Sequence, residues 1–169
     1  MKTLHFVGFY GKSFTSSLIR YFTRSRSYSH IAILIAEKGQ LIEAWPHKGG
    51  WKQWTDYSSI DKHTPGTKYE IWGLEVEDTA YDKCISFYRE QADKQTVYDY
   101  AGVISFLFKK TVKENPDRFF CSELAVYPLC DVFEWKTIKP HLVSPRDFIN
   151  IIEASGGVKL ENGCVSAVD

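Results

Sequence analysis

The stretch Tyr28-Ser29-His30-Ile31-Ala32-Ile33-Leu34-Ile35 decides the fold. Its isoleucines are β-branched and recur at every second position, and no glycine or proline interrupts them, so residues 30–36 read as a strand. Glu37-Lys38-Gly39-Gln40 follows, with glycine where a turn requires positive φ. Leu41 to Trp45 then returns as a second strand, ended by Pro46. His30 stands at the mouth of this hairpin. A strand edge is a rigid platform for a general base, and imidazole titrates in the range such a base needs.

Far along the chain lies Phe119-Phe120-Cys121-Ser122-Glu123-Leu124-Ala125. It reads as the start of a helix with Cys121 at its N-terminus. There the helix dipole and unbonded amides favour a thiolate, and the same amides suit an oxyanion. An inert apolar cysteine between Phe120 and Leu124 is the competing reading. The presence of a candidate base elsewhere makes a thiol–imidazole pair the leading one. A histidine base needs a partner to orient it. If the hairpin reverses at Lys38-Gly39, Glu43 lies opposite Leu34, on the same face as His30, and His47 lies directly opposite His30. Glu43 is therefore the candidate orienting group if the strand bulges or twists, and His47 if it does not. His5, His63 and His141 fall in less ordered contexts or near a chain end.

Outward from these segments the chain alternates poorly between element types. Residues 3–9 read as a short strand. Ser13 to Thr23 reads as a helix with Phe14, Leu18, Ile19 and Phe22 on one face, followed by a polar loop at 24–27. Residues 47–67 read as a long loop holding Gly49-Gly50 and Pro65-Gly66. Lys68 to Val76 alternates as a strand. Asp78-Thr79 caps a helix reaching about Lys94, with Tyr81, Cys84, Ile85 and Tyr88 on one face. A second helix is expected from Tyr98 to Lys110, then a turn at Asn115-Pro116-Asp117. The helix opened by Cys121 is expected to break near Pro128. Ser144-Pro145 starts a last helix that ends at Ala154, before Gly156-Gly157. Runs of strands and runs of helices indicate an α+β class.

Composition narrows the function. The chain has 169 residues, most simply one domain, with 21 basic and 21 acidic side chains. Zero net charge offers no electrostatic argument for nucleic acid or a membrane surface. Four cysteines, Cys84, Cys121, Cys130 and Cys164, fit no zinc spacing, and no metal or other cofactor is expected. Gly8 and Gly11 before Lys12-Ser13 lack the spacing of a phosphate loop. With no signal peptide and no long apolar span, a reducing cytoplasm and free thiols are expected; an exported enzyme would need another route out. Aromatics make up 15% of the chain, which suits an aromatic core.

The joint order of the motifs resembles the circularly permuted branch of the NlpC-type papain-like hydrolases, the YiiX-like group. The pieces carrying the resemblance are Ser29-His30-Ile31-Ala32-Ile33-Leu34, Leu41-Ile42-Glu43-Ala44-Trp45-Pro46, Val97-Tyr98-Asp99-Tyr100, Phe120-Cys121-Ser122-Glu123-Leu124 and Ser144-Pro145-Arg146-Asp147-Phe148. Ordinary papain-like enzymes place the cysteine helix before the histidine strand; here it follows. The resemblance implies an antiparallel sheet packed against helices and hydrolysis of an amide or ester through a thioester. It implies Cys121 as nucleophile, His30 as general base and then acid, and Glu43 as the orienting group. Tyr98, Ser29, Ser122 and Trp45 are the expected substrate-binding residues, and Trp45, Trp51 and Trp54 either form a substrate wall or pack the loop onto the body. The segment upstream of His30 is short, so a gating element there would be reduced. The expected substrate is a peptide, an amide or a lipid-like small molecule. A catalytically silent binding module on the same fold is the first alternative. A lipid-active acyl-enzyme, suggested by the aromatic loop and the apolar helix 98–110, is the second.

Overall fold

The computed structural model describes residues 1–11, 28–45, 54–99 and 118–166. Among them are eight strands and three α-helices. The strands are β1 (Lys2–Tyr10), β2 (His30–Ile35), β3 (Gln40–Trp45), β4 (Trp54–Ser58), β5 (Lys68–Val76), β6 (Val97–Tyr98), β7 (Arg118–Phe119) and β8 (Val158–Cys164). The helices are α1 (Asp78–Asp93), α2 (Cys121–Val132) and α3 (Pro145–Ala154). The strands form one sheet in the order β7-β6-β4-β3-β2-β1-β5-β8. Its pairings are antiparallel except β6 with β7, so the α+β expectation holds.

The hairpin of β2 and β3 forms through a short 3-10 turn at Ala36–Lys38, closed by Gly39 at φ 58°. Its register pairs Leu34 with Leu41, two residues away from the expected partner. Continued along the strands, this places Glu43 opposite Ala32. The parity is unchanged, so Glu43 still shares the face of His30, but it now lies on the near diagonal. No bulge is needed.

Strand alternation splits the core between the two faces of the sheet. Leu4, Phe6, Ile31, Ile33, Ile35, Ile42 and Ala44 point to the helices and pack with Cys84, Tyr88, Leu124, Leu129, Phe148 and Ile152. Phe6 meets Phe148 of α3 edge-on, with centroids 5.0 Å apart. The other face carries a smaller cluster of Val7, Phe9, Ala32, Leu41 and Ile71, with Leu34 and Ile60 against it. The helix face thus anchors the sheet, and the smaller face has room for polar groups.

Gly8 has a specific task in this scaffold. A Cβ there would meet the Tyr28 ring at 2.5 Å. The absent side chain lets the ring lie against β1 and aims the chain into Ser29-His30. The Tyr28 hydroxyl also donates to Glu70 of β5.

Several expectations are corrected. The stretch 47–67 is not all loop: β4 occupies 54–58 and extends the sheet, and a 3-10 turn spans Ile60–Lys62. Tyr98 lies in the short strand β6 rather than opening a helix. The helix from Cys121 does not break at Pro128 but continues to Val132. Proline removes the N–H that would serve the Leu124 carbonyl. Beside that gap the Tyr88 hydroxyl donates to the Ala125 carbonyl at 2.7 Å, and Leu124, Ala125 and Leu129 are fully buried. Burial of this turn against α1 and the sheet holds the helix through its proline.

α3 starts as expected: Ser144 Oγ accepts from the Asp147 N–H at 3.1 Å, the Asp147 carboxylate accepts from the Ser144 N–H at 3.3 Å, and Pro145 is the first helical residue. Beyond Gly157 the chain adds β8, an edge strand beside β5 for which no expectation was made. The expected helix at 13–23, the polar loop 24–27, the remainder of the helix expected to reach Lys110, and the turn at Asn115-Pro116-Asp117 lie outside the described residues. So do His47 and Trp51. No helix among the described residues is long and apolar enough to cross a membrane.

Candidate active site

β1 places the base. The Ser29 N–H donates to the Phe9 carbonyl at 2.9 Å, and Phe9 pairs with His30 across the ladder. His30 is then the first residue of β2, with its ring against Phe9 at a centroid distance of 5.9 Å. From β3, Glu43 reaches the ring directly: Nε2 of His30 lies 2.7 Å from Oε2 of Glu43. Both side chains are buried, His30 at 5% and Glu43 at 3% exposure. With Nε2 engaged, Nδ1 is the ring nitrogen that remains for Cys121.

α2 places the thiol. Cys121 is its first residue, packed against β2 and hydrogen-bonded to His30. The Phe120 N–H is taken by Glu123 Oε2 at 3.3 Å. The next N–H groups of the helix start have no carbonyl partner within the helix. The backbone amides of Ile31 and Ser122 both donate to the Cys121 sulfur.

The electrostatics follow from this enclosure. Burial raises the cost of a Cys121 thiolate, but His30 and the two amides outweigh it and hold the thiol below its ordinary value. Burial alone would lower His30; the charge on Cys121, with its hydrogen bond and that of Glu43, raises it instead to about 9. Burial likewise opposes ionisation of Glu43, yet hydrogen bonds from His30 and His63 hold its carboxyl far below the usual range. The three groups therefore favour a thiolate, an imidazolium and a carboxylate together.

His63 is the member of this cluster that sequence reasoning missed. Its Nε2 lies 3.2 Å from the same Oε2 of Glu43, and its ring stacks on Phe9 with centroids 3.8 Å apart and planes 14° from parallel. It sits at the end of the 3-10 turn after β4, inside a segment that reads as plain loop in the sequence. Histidine next to a Thr64-Pro65-Gly66 turn carries no periodic signal; only the stacking partner Phe9, three strands from β4 in the sheet, reveals it.

The four other candidates separate. Ser29 accepts the Gly11 N–H at 2.8 Å and donates to the Phe9 carbonyl at 3.3 Å, while Ser122 donates to the Val143 carbonyl at 2.7 Å. Both hydroxyls are buried braces, one for the histidine strand and one tying α2 to the segment before α3. Tyr98 is buried in β6, whose parallel partner Phe119 lies two residues before Cys121. Trp45 ends β3 with its backbone opposite Trp54; its side chain lies outside the described residues.

No protein-family model matches the chain, and no curated protein sequence matches it. A solved structure does. The chain is similar to the crystal structure of metalloprotein YiiX from Escherichia coli O157:H7 (DUF1105), over 96% of this chain and 98% of that one, with a TM-score of 0.60 and 16% identity. This establishes a shared fold: a mixed α+β domain built on an extended, mainly antiparallel sheet.

The word metalloprotein belongs to that protein, and the described residues of this chain do not fit a metal centre. Among the described residues no group of three or more His, Cys, Asp and Glu is arranged to hold an ion. His30 and His63 converge on one carboxylate oxygen at hydrogen-bonding distances, 2.7 and 3.2 Å, rather than on a shared point about 2 Å from each donor.

Proposed function

We propose that the protein is a cysteine hydrolase of the permuted NlpC-type papain-like kind, cleaving an amide bond. The observation that carries this reading is the 2.7 Å contact between His30 and Glu43, with His30 hydrogen-bonded to a Cys121 thiol held below its ordinary value at a helix N-terminus. In this mechanism the Cys121 thiolate attacks the substrate carbonyl carbon. N–H groups at the start of α2 stabilise the oxyanion. As the oxyanion collapses the carbon–nitrogen bond breaks, and His30 gives its proton to the departing amine. A thioester to Cys121 remains. Water then attacks it, His30 accepts the water proton, and the acid leaves as the thiolate is regenerated. Glu43 keeps the His30 ring oriented and stabilises its charged form, the role of the third group in triads. A peptide or an acylated amine is the proposed substrate class.

The test is iodoacetamide labelling followed by peptide mass spectrometry, in wild type and His30→Ala. Cys121 is expected to label far faster than Cys84, Cys130 and Cys164 near neutral pH, and to slow when His30 is removed. Slow labelling, or labelling indifferent to His30, overturns the reading in favour of a silent binding module.

A further inference from the structure

The reading above uses three side chains, yet Glu43 is held from two sides. We infer that His63 is a positioning residue for the same site: it clamps the Glu43 carboxylate against His30, extending the array to Cys121–His30–Glu43–His63. The inference rests on the proposed cysteine chemistry and concerns how its third member is held.

Three features of the fold support it. First, the geometry is convergent. Nε2 of His30 and Nε2 of His63 lie 2.7 and 3.2 Å from the single atom Oε2 of Glu43, and all three side chains are at least nine-tenths buried. An ionised carboxylate only accepts, so the His30 ring presents its Nε2–H to it, and His63 stands against the same oxygen at ion-pair distance. A buried carboxylate with a single neighbour keeps torsional freedom at its end; a second imidazole against the same oxygen restricts it.

Second, His63 is itself fixed. Its ring is stacked on Phe9, the residue paired with His30 across the β1–β2 ladder. Its N–H donates to the Ile60 carbonyl at 3.2 Å, and Ile60 packs on the smaller sheet face. The turn that follows is tied to the end of β8: the Gly66 N–H donates to the Val165 carbonyl at 2.8 Å, and the Val165 N–H to the Thr67 carbonyl at 2.9 Å. Phe9 thus serves as a common wall for both imidazoles, setting their separation at 5.9 Å between centroids.

Third, the location suits positioning and not direct chemistry. His63 meets the array at Glu43 and not at the thiol. Its effect must pass through Glu43 to His30, which makes the role separable from mere packing.

The experiment measures the rate of Cys121 alkylation by iodoacetamide near neutral pH in the full-length protein. His63→Phe preserves the ring on Phe9 and removes both nitrogens; His63→Gln restores an amide N–H. We expect His63→Phe to slow Cys121 about fivefold, the scale of one ordinary intramolecular hydrogen bond. His63→Gln should recover most of the rate. In a Glu43→Ala background, where the carboxylate is gone, His63→Phe should change nothing further, giving a coupled double-mutant cycle. An unchanged rate in His63→Phe overturns the inference while leaving the hydrolase reading intact. Equal losses in His63→Phe and His63→Gln, or an undiminished loss in the Glu43→Ala background, also overturn it, because packing then explains the effect. If wild-type Cys121 labels no faster than Cys84, both readings fall together.

Discussion

Cys84 and Cys121 are both buried cysteines on helices that pack against each other, and their chemistry diverges. Cys84 sits mid-helix in α1 against apolar neighbours, and burial pushes its thiol up to about 11. Cys121 is just as enclosed, but it opens α2 and faces His30 and two backbone amides, so its thiol moves down. Burial on its own makes a thiol inert. A buried thiol becomes nucleophilic only where the fold supplies a cation and oriented N–H groups to replace water.

The largest effect expected from this contrast is at Cys121 itself. Cys121→Ala should abolish turnover of any substrate found while leaving the circular dichroism spectrum native; surviving turnover breaks the comparison. His30→Ala comes next. It removes the cation and should slow Cys121 alkylation by about 100-fold near neutral pH, the scale of a lost general base, with Cys84 unaffected.

The pH profile then sharpens the roles. Turnover needs His30 protonated to release the amine, so activity should fall as pH rises through about 9 and fall again on the acid side as the thiolate is protonated. The same ionisation affects folding. His30 is raised above its ordinary 6.5, so its stabilising share is complete below that value and is lost as pH climbs through about 9. Thermal unfolding on either side of that range should show the loss in wild type and not in His30→Ala. Glu43→Gln should cut alkylation by about tenfold and move the alkaline limb to lower pH, since the carboxylate holds His30 in its charged form. An alkaline limb that stays in place would remove Glu43 from the mechanism.

The smallest effect is reserved for the other cysteine. Cys84→Ala deletes one buried sulfur and should cost about 1 kcal/mol of stability by chemical denaturation. The alkylation rate of Cys121 should not change. A change there would mean that the two buried thiols are coupled through the α1–α2 interface, and the comparison would need revision.

Much of this was legible without coordinates. Isoleucines at alternate positions identify β2, glycine marks its turn, and serine, proline and aspartate at 144–147 mark the start of α3, because each is a local steric or capping requirement. Cys121 at a helix start and His30 at a strand start follow from the same local rules. Other features were hidden because their cause is not local. β4 has aromatic and polar residues with no clean alternation and exists because β3 offers it an edge. α2 survives Pro128 because its buried face packs on α1 and the sheet. β8 depends on the edge of β5.

By itself the sequence determined the class of the fold, the elements that carry the thiol and the imidazole, and the parity that put Glu43 on the face of His30. Parity has period two and survives an error of two residues in register. The tertiary structure decided the rest: that Glu43 meets Nε2 of His30, that the Cys121 thiol is held below its ordinary value while that of Cys84 is pushed up, and that His63 reaches the same carboxylate oxygen. Those outcomes depend on distances of about 3 Å between segments far apart in the chain, where hydrogen bonding and charge act. No local pattern of residues encodes such distances; only the packing of the sheet and its helices sets them.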